Sequence, residues 1–415
     1  MRISTIQAFN NGVSGIQRNY ANVTRTQEQI STGNRMLTPA DDPVAAVRLL
    51  QLEQQQNVLT QYKDNLAAAN NSLTQEEVTL NSVNTVLQRV RELTVQAGNG
   101  ALSVADRQSI AAELGEREEE LFSLVNTRNA RGEYLFSGFQ GKTQAFVRDG
   151  DGNYSYQGDE GQRKLQIASS LEVPISDSGK AIFQNITNAG RLDAVMDLSA
   201  AVGSTLTASA PLVQDEGAFS GAQPFPTAGV EIVFGNPDAS SYEIFEVGVP
   251  APAPVLASGA VDTDPDTGDQ LVFRGVSIIF DGTPVGGESL QVTADPTRQK
   301  QGILDTIATL RRALADPASS SAQIRDTVAI GLTNLDNGMV NVDGVRGAIG
   351  ARLNMIETTQ TDNEDVSLVN KSIQSELREL DYPEALSRLS FQSIILEASQ
   401  QSYVRIASLN LFNKM

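Results

Sequence analysis

The 415-residue chain contains no cysteine, no histidine and no tryptophan. Without cysteine and histidine it cannot form a disulfide, a histidine-based catalytic triad, a thiol nucleophile or a zinc site of thiolates and imidazoles. Aromatic residues make up 5% of the chain, so any core has to rest on Leu, Ile, Val and Ala. These absences leave carboxylate, Lys, Ser, Thr or Tyr chemistry, or no catalysis at all.

Basic residues are also scarce, with 31 Lys and Arg against 50 Asp and Glu, for a formal net charge of -19. This balance argues against a nucleic-acid partner and against an anionic membrane surface, since both attract clustered Lys and Arg. The acidity is uneven, because residues 142–296 hold 21 acidic and 7 basic side chains. The same segment holds 11 of the 15 prolines, which resist helix formation. We therefore expect two helical flanks around an acidic, β-rich insert.

Long apolar runs are absent as well, since no stretch approaches the ~18 to 20 consecutive apolar residues of a membrane span. The first twelve residues lack an apolar core and a small-residue cleavage site, so we expect no cleaved secretory signal peptide. The chain is then expected to stay in the cytosol or to leave the cell by a route that does not cleave it.

The N-terminal flank opens with a heptad stripe between Ile6 and Ile30, spaced alternately by three and four, which is apolar except at Gln27. Asp42 followed by Pro43 predicts the start of a second helix, with leucine every seven residues from Leu52 to Leu87. A helix over 43–97 would be ~80 Å long at 1.5 Å per residue. Ser103 and Asp106 then predict a capping box that opens a third helix.

The C-terminal flank has the same pattern, with residues spaced by four and three from Ile324 to Ile356 that are apolar or small except at Arg352. A new helix is predicted to start at Asp381, and it carries two apolar stripes where a single partner helix would need one. The two chain ends should therefore lie side by side and contact partners on two sides.

The predicted fold class is α+β, in which long antiparallel helices and paired terminal helices carry an inserted β-rich domain. The insert opens with a hairpin signature at Asp149-Gly150-Asp151-Gly152. The predicted division is 1–42 as an N-terminal coiled-coil helix, 43–141 as the N-terminal half of a helical rod, 142–296 as the acidic insert, 297–380 as the C-terminal half of the rod and 381–415 as a C-terminal coiled-coil helix.

Three sequence features could hold a ligand or a catalytic pair. The loop with Asp262, Asp264, Asp266 and Asp269 offers alternating carboxylates to Ca²⁺, but it lacks the glycine position and the final Glu of an EF-hand, so a solvated acidic loop is the simpler interpretation. Gly141-Lys142-Thr143 lacks the upstream glycine of a phosphate loop. Adjacent acids such as Glu118-Glu119-Glu120 cannot flank one bond. We therefore predict no enzyme, no cofactor and no established metal site.

The terminal helices carry the candidate functional surface. An ordinary intramolecular bundle accounts for the long helices, but the two ends would leave apolar side chains in water, and their burial is favourable by ~1.5 to 3 kcal/mol each. The predicted assembly interface consists of Ile6, Phe9, Val13, Ile16, Tyr20, Val23, Ile30, Leu386, Leu389, Phe391, Ile395, Leu396, Tyr403, Ile406, Leu409 and Phe412.

Several motifs together resemble the bacterial flagellin superfamily and, within it, the hook-filament junction branch. Thr32-Gly33-Asn34-Arg35 and Ala40-Asp41-Asp42-Pro43 stand where filament flagellins usually have Ser-Gly-Leu-Arg and Lys-Asp-Asp-Ala, which favours the junction branch. The resemblance also includes the N-terminus, the segment from Gly132 to Gly138 and the tail from Leu396 to Asn413. It covers both flanks but only the opening hairpin of the insert.

The resemblance implies a structural protein of the extracellular flagellum, a ring-forming adaptor between the hook and the flagellin filament. It implies terminal helices that line the inner tube, with hook-associated protein 1, flagellin and further copies of the chain as partners. It also implies export without a cleaved signal through the flagellar type III apparatus, with a cytosolic chaperone on the C-terminal helix. A filament flagellin, a secreted adhesin or calcium-binding protein, and a carboxylate enzyme remain as alternatives.

Overall fold

The computed structural model describes residues 5–197, 205–235, 240–250, 252–261 and 268–412, with the side chains of all of these except 5, 6, 8 and 406–412. The chain divides into two compact units. The first contains the described residues up to Leu66, Ile167–Ser169 and the described residues from Glu357 onward, and the second contains 67–166 and the described part of 170–356. The predicted α+β fold class is confirmed, whereas the predicted five-part division stays a prediction.

The helix starts predicted after Asp42, Ser103 and Asp381 are present, whereas α4 and the break between α5 and α6 were not predicted. They are α1 (Thr5–Thr32), α2 (Pro43–Ala97), α3 (Val104–Val125), the short α4 (Glu216–Phe219), α5 (Ile303–Ala315), α6 (Ser321–Arg378) and α7 (Tyr382–Phe412). The Asp42 carboxylate accepts a hydrogen bond from the Ala45 N–H at 3.0 Å, and Asp381 accepts one from the Glu384 N–H at 3.2 Å. The capping box of Ser103 and Asp106 is also present. Side-chain caps of this kind satisfy N–H groups at the start of a helix that have no partner within the helix.

The insert of the second unit is built from short antiparallel strands. They are β1 (Phe146–Arg148), β2 (Tyr154–Tyr156), β3 (Lys164–Ala168), β4 (Leu171–Pro174), β5 (Ile186–Thr187), β6 (Leu192–Asp197), β7 (Thr207–Ala208), β8 (Leu212–Val213), β9 (Val230–Phe234), β10 (Ser241–Glu246), β11 (Ala257–Ala260), β12 (Asp269–Phe273), β13 (Val276–Asp281), β14 (Ser289–Ala294) and β15 (Lys300–Gln301). The predicted hairpin is the β1 and β2 pair, in which Arg148 lies opposite Tyr154.

Two sheets form the main core of the insert. One has the strand order β11-β10-β9-β14-β6, and the other has the order β12-β13-β7, with β8 also paired to β13. Their inward side chains share one hydrophobic cluster that includes Phe234, Ile244, Phe280 and Val292. Alternation of buried and partly exposed residues along β9 places one face of that strand in this core.

The helical part of the second unit has a closed core. Leu73, Leu80 and Leu87 of the α2 leucine heptad are fully buried. α3 and α5 pack against each other, and α6 contributes Leu335, Val342 and Ile349, which lie at the predicted seam positions. The predicted heptads of both long helices are therefore confirmed in this unit.

Candidate assembly surface

The terminal helices α1 and α7 pair along their length within the first unit. Phe9 contacts Tyr403 with ring centroids 5.3 Å apart, and the Asn19 amide donates to the Ser399 hydroxyl at 3.0 Å. Residue numbers rise along α1 as those of its contacts on α7 fall, from Phe9 with Tyr403 to Thr26 with Gln392, so the pair is antiparallel. The predicted side-by-side placement of the chain ends is present in the described residues.

A short backbone connection closes the pair where α1 and α7 reach the other helices. The Leu380 N–H donates to the Gly33 carbonyl at 3.0 Å, and the Arg35 N–H donates to the Arg378 carbonyl at 2.8 Å. Gly33 has a φ of 71°, a left-handed conformation that favours glycine. The Tyr382 hydroxyl lies 3.1 Å from the position that a Cβ at residue 33 would occupy. Both backbone conformation and space therefore favour glycine here.

The predicted interface residues separate into two groups in this pair. Half-buried positions lie along the contact of the two helices: Val13, Ile16, Val23, Ile30, Leu389, Leu396 and Tyr403. Exposed positions are Phe9, Tyr20, Leu386, Phe391 and Ile395. The side chains of Ile6, Ile406, Leu409 and Phe412 lie outside the described residues. Membership of all sixteen in an assembly interface stays a prediction.

Sequence reasoning missed four polar residues in the contact. Asn19 and Thr26 of α1 take seam positions where the predicted stripe places Tyr20 and Gln27, and Gln392 and Ser399 of α7 lie opposite them. Tyr20 is 63% exposed, so it lies outside the seam. Small and polar residues at 12, 19 and 26 do recur every seven positions, and this spacing is a signal that an apolar search does not score.

α7 leaves a large apolar surface in water. Phe391 is 69% exposed, Ile394 and Val404 are each 64% exposed, and Leu386 and Ile395 are also exposed. Ile394 and Val404 were not predicted as interface residues. Several large apolar side chains that stay exposed on a helix whose other side already packs on α1 are a feature of protein interaction sites. This arrangement can bury apolar area against another helix.

The second unit holds a buried carboxylate in the α2 seam. Glu76 is 2% exposed and accepts a hydrogen bond from the Asp177 N–H at 3.1 Å. Arg352 of α6 binds the Asp177 carboxylate through two nitrogens, at 2.7 and 3.1 Å. Burial, followed by the charge of Asp177, raises the pKa of Glu76 to about 8. Glu76 is therefore mainly protonated at neutral pH.

A second buried carboxylate, Glu118 of α3, has direct partners. The Tyr154 hydroxyl donates to its Oε1 at 2.7 Å, and Arg311 of α5 donates to its Oε2 at 2.7 Å. Burial raises the pKa of Tyr154, and the hydrogen bond to Glu118 acts in the same direction. Asp305 accepts from the Tyr154 N–H at 2.9 Å, and burial raises its pKa. These contacts join α3, β2 and α5.

The candidate calcium loop is only partly described. Asp262, Asp264 and Asp266 lie outside the described residues, and Asp269 begins β12 opposite Phe280 of β13. Within the described ranges, no group of three or more acidic side chains is placed to hold a metal ion. Nor does any described helix have the length and apolarity needed to cross a membrane.

Comparison with known proteins adds an independent observation. Residues 3–141 match the family described as the bacterial flagellin N-terminal helical region. The N-terminal region of the chain is therefore similar to that of bacterial flagellins. Over 188 residues the chain is 35% identical to flagellar hook-associated protein 3 of Salmonella typhimurium. This alignment covers 45% of this chain and 58% of that protein. The matched segment thus spans less than two thirds of this curated relative.

Two further flagellar proteins align with more of the chain. The crystal structure of hook-associated protein 3 from Legionella pneumophila has a TM-score of 0.62 and 26% identity, and the alignment covers 79% of this chain and 98% of that one. A flagellin of Clostridium tyrobutyricum is 22% identical over 395 residues, or 94% of this chain and 95% of that protein. These relatives have the names of flagellar parts, and none has the name of an enzyme.

Proposed function

We propose that the chain is a structural component of the bacterial flagellum, a ring-forming adaptor that joins the hook to the flagellin filament. The observation that carries the proposal is the exposed apolar surface of α7 beside a paired α1, in a chain similar to hook-associated protein 3 over both sequence and fold. The two terminal helices present an assembly surface, and the acidic insert remains in solvent. The role is structural and not catalytic.

The exposed side chains supply the physical reason for assembly. Leu386, Phe391, Ile394, Ile395 and Val404 all lie on one helix and are exposed. Moving each large apolar side chain from water into a packed contact is favourable by about 1.5 to 3 kcal/mol. Helices that are marginal alone gain order when partners cover them, so we expect folding of the ends to be coupled to assembly.

The proposal includes specific partners and a route. Hook-associated protein 1 would contact the ring on the hook side, flagellin on the filament side, and further copies of this chain within the ring. The chain would reach the outside of the cell through the flagellar type III export apparatus without a cleaved signal, and a cytosolic chaperone would hold α7 before export. An apolar helix that has to stay unassembled in the cytosol gives such a chaperone its binding surface.

A deletion strain tests the adaptor role directly. Cells that lack this chain are expected to retain hooks, to have no attached filaments and to shed flagellin into the medium. Electron microscopy of the cells and immunoblots of the medium measure these outcomes. Long filaments that remain attached in the deletion strain would refute the proposal.

A matched pair of variants tests the α7 surface in that strain. Phe391→Asp is expected to abolish filament attachment, because a carboxylate at an exposed apolar position cannot enter a dry contact. Phe391→Leu keeps the position apolar and is expected to restore swimming. Both variants should keep the parent unfolding midpoint as purified chains, because residue 391 is 69% exposed before assembly. Equal swimming of the two variants would remove the α7 surface from the interface.

Variants in the contact of α1 and α7 test the paired ends. Ile16→Asp and Leu396→Asp put a charge into the half-buried seam and are expected to block incorporation while the second unit stays folded. Limited proteolysis of the dilute parent chain should remove about 40 residues from each end. Protected ends in the dilute monomer would contradict coupled folding and assembly.

A filament flagellin is the second candidate, favoured by the alignment with the Clostridium tyrobutyricum flagellin over 94% of this chain. A filament flagellin polymerises alone into long filaments when it is given short seeds. We expect this chain to add no more than a short cap to such seeds, and long homopolymers would establish the second candidate instead.

A further inference from the structure

The seam between α1 and α7 alternates between two lines of residues that each repeat every seven positions. On α1, Phe9, Ile16, Val23 and Ile30 form an apolar line, and Gly12, Asn19 and Thr26 form a small and polar line. α7 repeats this arrangement, with an apolar line at Leu389, Leu396 and Tyr403 and a small and polar line at Ala385, Gln392 and Ser399. An apolar coiled-coil seam would have large apolar residues in both lines.

The polar positions are paired across the seam. The Thr26 hydroxyl donates to Gln392 Oε1 at 2.8 Å, and Thr26 is buried. The Asn19 amide donates to the Ser399 hydroxyl at 3.0 Å. On each helix the two pairs lie one heptad apart, so they are matched in spacing as well as in chemistry.

The apolar line cannot select one register by itself. A slip of one heptad moves α1 by about 10 Å along α7 and still places large apolar residues opposite large apolar residues. The same slip in one direction would set Thr26 opposite Ala385 and Ser399 opposite Gly12, which have no polar side-chain group. In the other direction it would move Gln392 opposite Gly33. A buried polar group without its partner is costly, so both slips are disfavoured.

We propose that Asn19, Thr26, Gln392 and Ser399 are specificity-determining residues that fix the register of α1 on α7. The register decides which heptads of α7 lie opposite α1, and therefore where the exposed Phe391, Ile394 and Ile395 stand along the pair. The inference deepens the proposed function and rests on it for this last consequence. Buried polar residues that define the register of a coiled coil at some cost in stability are an established device.

The backbone connection at Gly33 and Leu380 is the competing source of register. It lies at one end of the pair, and Asn19 is fourteen residues away from Gly33, about 20 Å along the helix. If that connection alone fixed the register, replacing the polar pair would leave the alignment of the distal half unchanged. The experiment therefore removes a polar pair and measures alignment far from the connection.

The cysteine-free chain allows disulfide reporters at chosen positions. The full-length chain with Asn19→Cys and Ser399→Cys reports the observed register, because these side chains are in hydrogen-bond contact. Gly12→Cys with Ser399→Cys reports a one-heptad slip, since the two positions are otherwise about 10 Å apart and beyond the reach of a disulfide. Equilibration in a glutathione redox buffer makes the yield of each disulfide a measure of its register.

Each reporter is compared in the parent background and with Thr26→Leu plus Gln392→Leu. We expect the ratio of slipped to observed disulfide to rise about tenfold in the double-leucine background, which corresponds to about 1.4 kcal/mol. Val23→Leu, a change in the apolar line, is the matched control and should leave the ratio unchanged. An unchanged ratio in the double-leucine background would overturn the inference.

The reporters require that α1 and α7 pair in the purified chain, as they do in the structure, and they require no other flagellar protein. Filament attachment in the deletion strain decides the proposed function, and the disulfide ratio of the purified chain decides the register. Attached filaments in the deletion strain together with a tenfold shift in ratio would refute the adaptor role and leave the register assignment in place.

Discussion

The leucine seam of α2 is fully buried in one unit and only partly buried in the other. In the second unit Leu73, Leu80 and Leu87 are fully buried, and α3 and α5 add apolar side chains to that core. In the first unit Leu52 and Leu59 of the same heptad series are only half-buried. A cleft of about 430 Å³, lined by Leu59, Leu66 and Leu368 with several polar residues, lies between α2 and α6 there.

The difference shows that a heptad predicts a contact without saying which molecule provides it. Where the chain has further helices to cover the seam, the leucines form a hydrophobic core. Where it has none, the seam stays half-open, and the start of α2 exposes Val44, Val47 and Leu50. In the first unit the apolar seam of α2 is thus left partly uncovered.

The largest expected effect comes from matched leucine truncations on α2. Leu80→Ala in the second unit should lower the free energy of unfolding by about 2 to 5 kcal/mol, because it removes buried contacts and leaves a cavity. Leu59→Ala in the first unit should cost about 1 kcal/mol or less, because its side chain is already partly in water. Urea denaturation followed by far-UV circular dichroism measures both.

Equal losses from the two truncations would contradict the contrast between the units. Incorporation into flagella should rank the two variants the other way. Leu59→Ala should reduce incorporation more than Leu80→Ala, because Leu59 would gain a partner in the assembled state. Incorporation of Leu59→Ala chains into flagella, measured by immunoblot of sheared flagella, is the accompanying control.

Much of this fold could be predicted from the sequence because its signals are local. Asp42, Ser103 and Asp381 mark three helix starts, and each caps its helix through a side-chain hydrogen bond. Turn residues at 149–152 mark the first hairpin. The pairing of β14 between β6 and β9 could not be predicted, because it joins segments far apart in sequence whose patterns are compatible with many partners.

The candidate site was predictable in its location but not in its detail. Apolar periodicity located the contact between α1 and α7, and it placed Tyr20 in a seam that Asn19 occupies. A hydrophobic pattern does not reveal a polar seam position, because polar residues also form solvated helix faces. Glu76 interrupts the α2 heptad for a similar reason, since its partner segment at Asp177 lies about a hundred residues further along the chain.

The buried Glu76 should make the stability of the second unit depend on pH. Its pKa in the folded chain is raised to about 8 from an ordinary value of 4.5, so between these values the folded chain holds a proton that the unfolded chain has released. The stability of the second unit should then fall as pH rises through this window, by up to about 1.4 kcal/mol per pH unit from this residue. Urea midpoints at pH 5 and pH 8 measure the change.

Glu76→Gln should flatten this dependence and make the chain more stable than the parent at pH 8, because the amide stays neutral and can still accept from the Asp177 N–H. Glu116→Gln on the exposed face of α3 is the matched control and should retain the parent slope. If the unfolding free energy of Glu76→Gln changes with pH as steeply as that of the parent, the pH dependence comes from other groups.

The smallest expected effect comes from removing one helix cap in each unit, and the two losses should appear in different measurements. Ser103→Ala removes a capping box in the second unit and should lower its unfolding free energy by about 0.5 to 2 kcal/mol. Asp381→Ala removes the corresponding cap of α7 in the first unit. If the ends unfold locally, as the proposed function requires, this loss should leave the main urea transition in place and accelerate amide hydrogen exchange along α7. A shift of the main transition by Asp381→Ala equal to that of Ser103→Ala would mean that α7 unfolds together with the second unit, and the ends would then be as stable as the core.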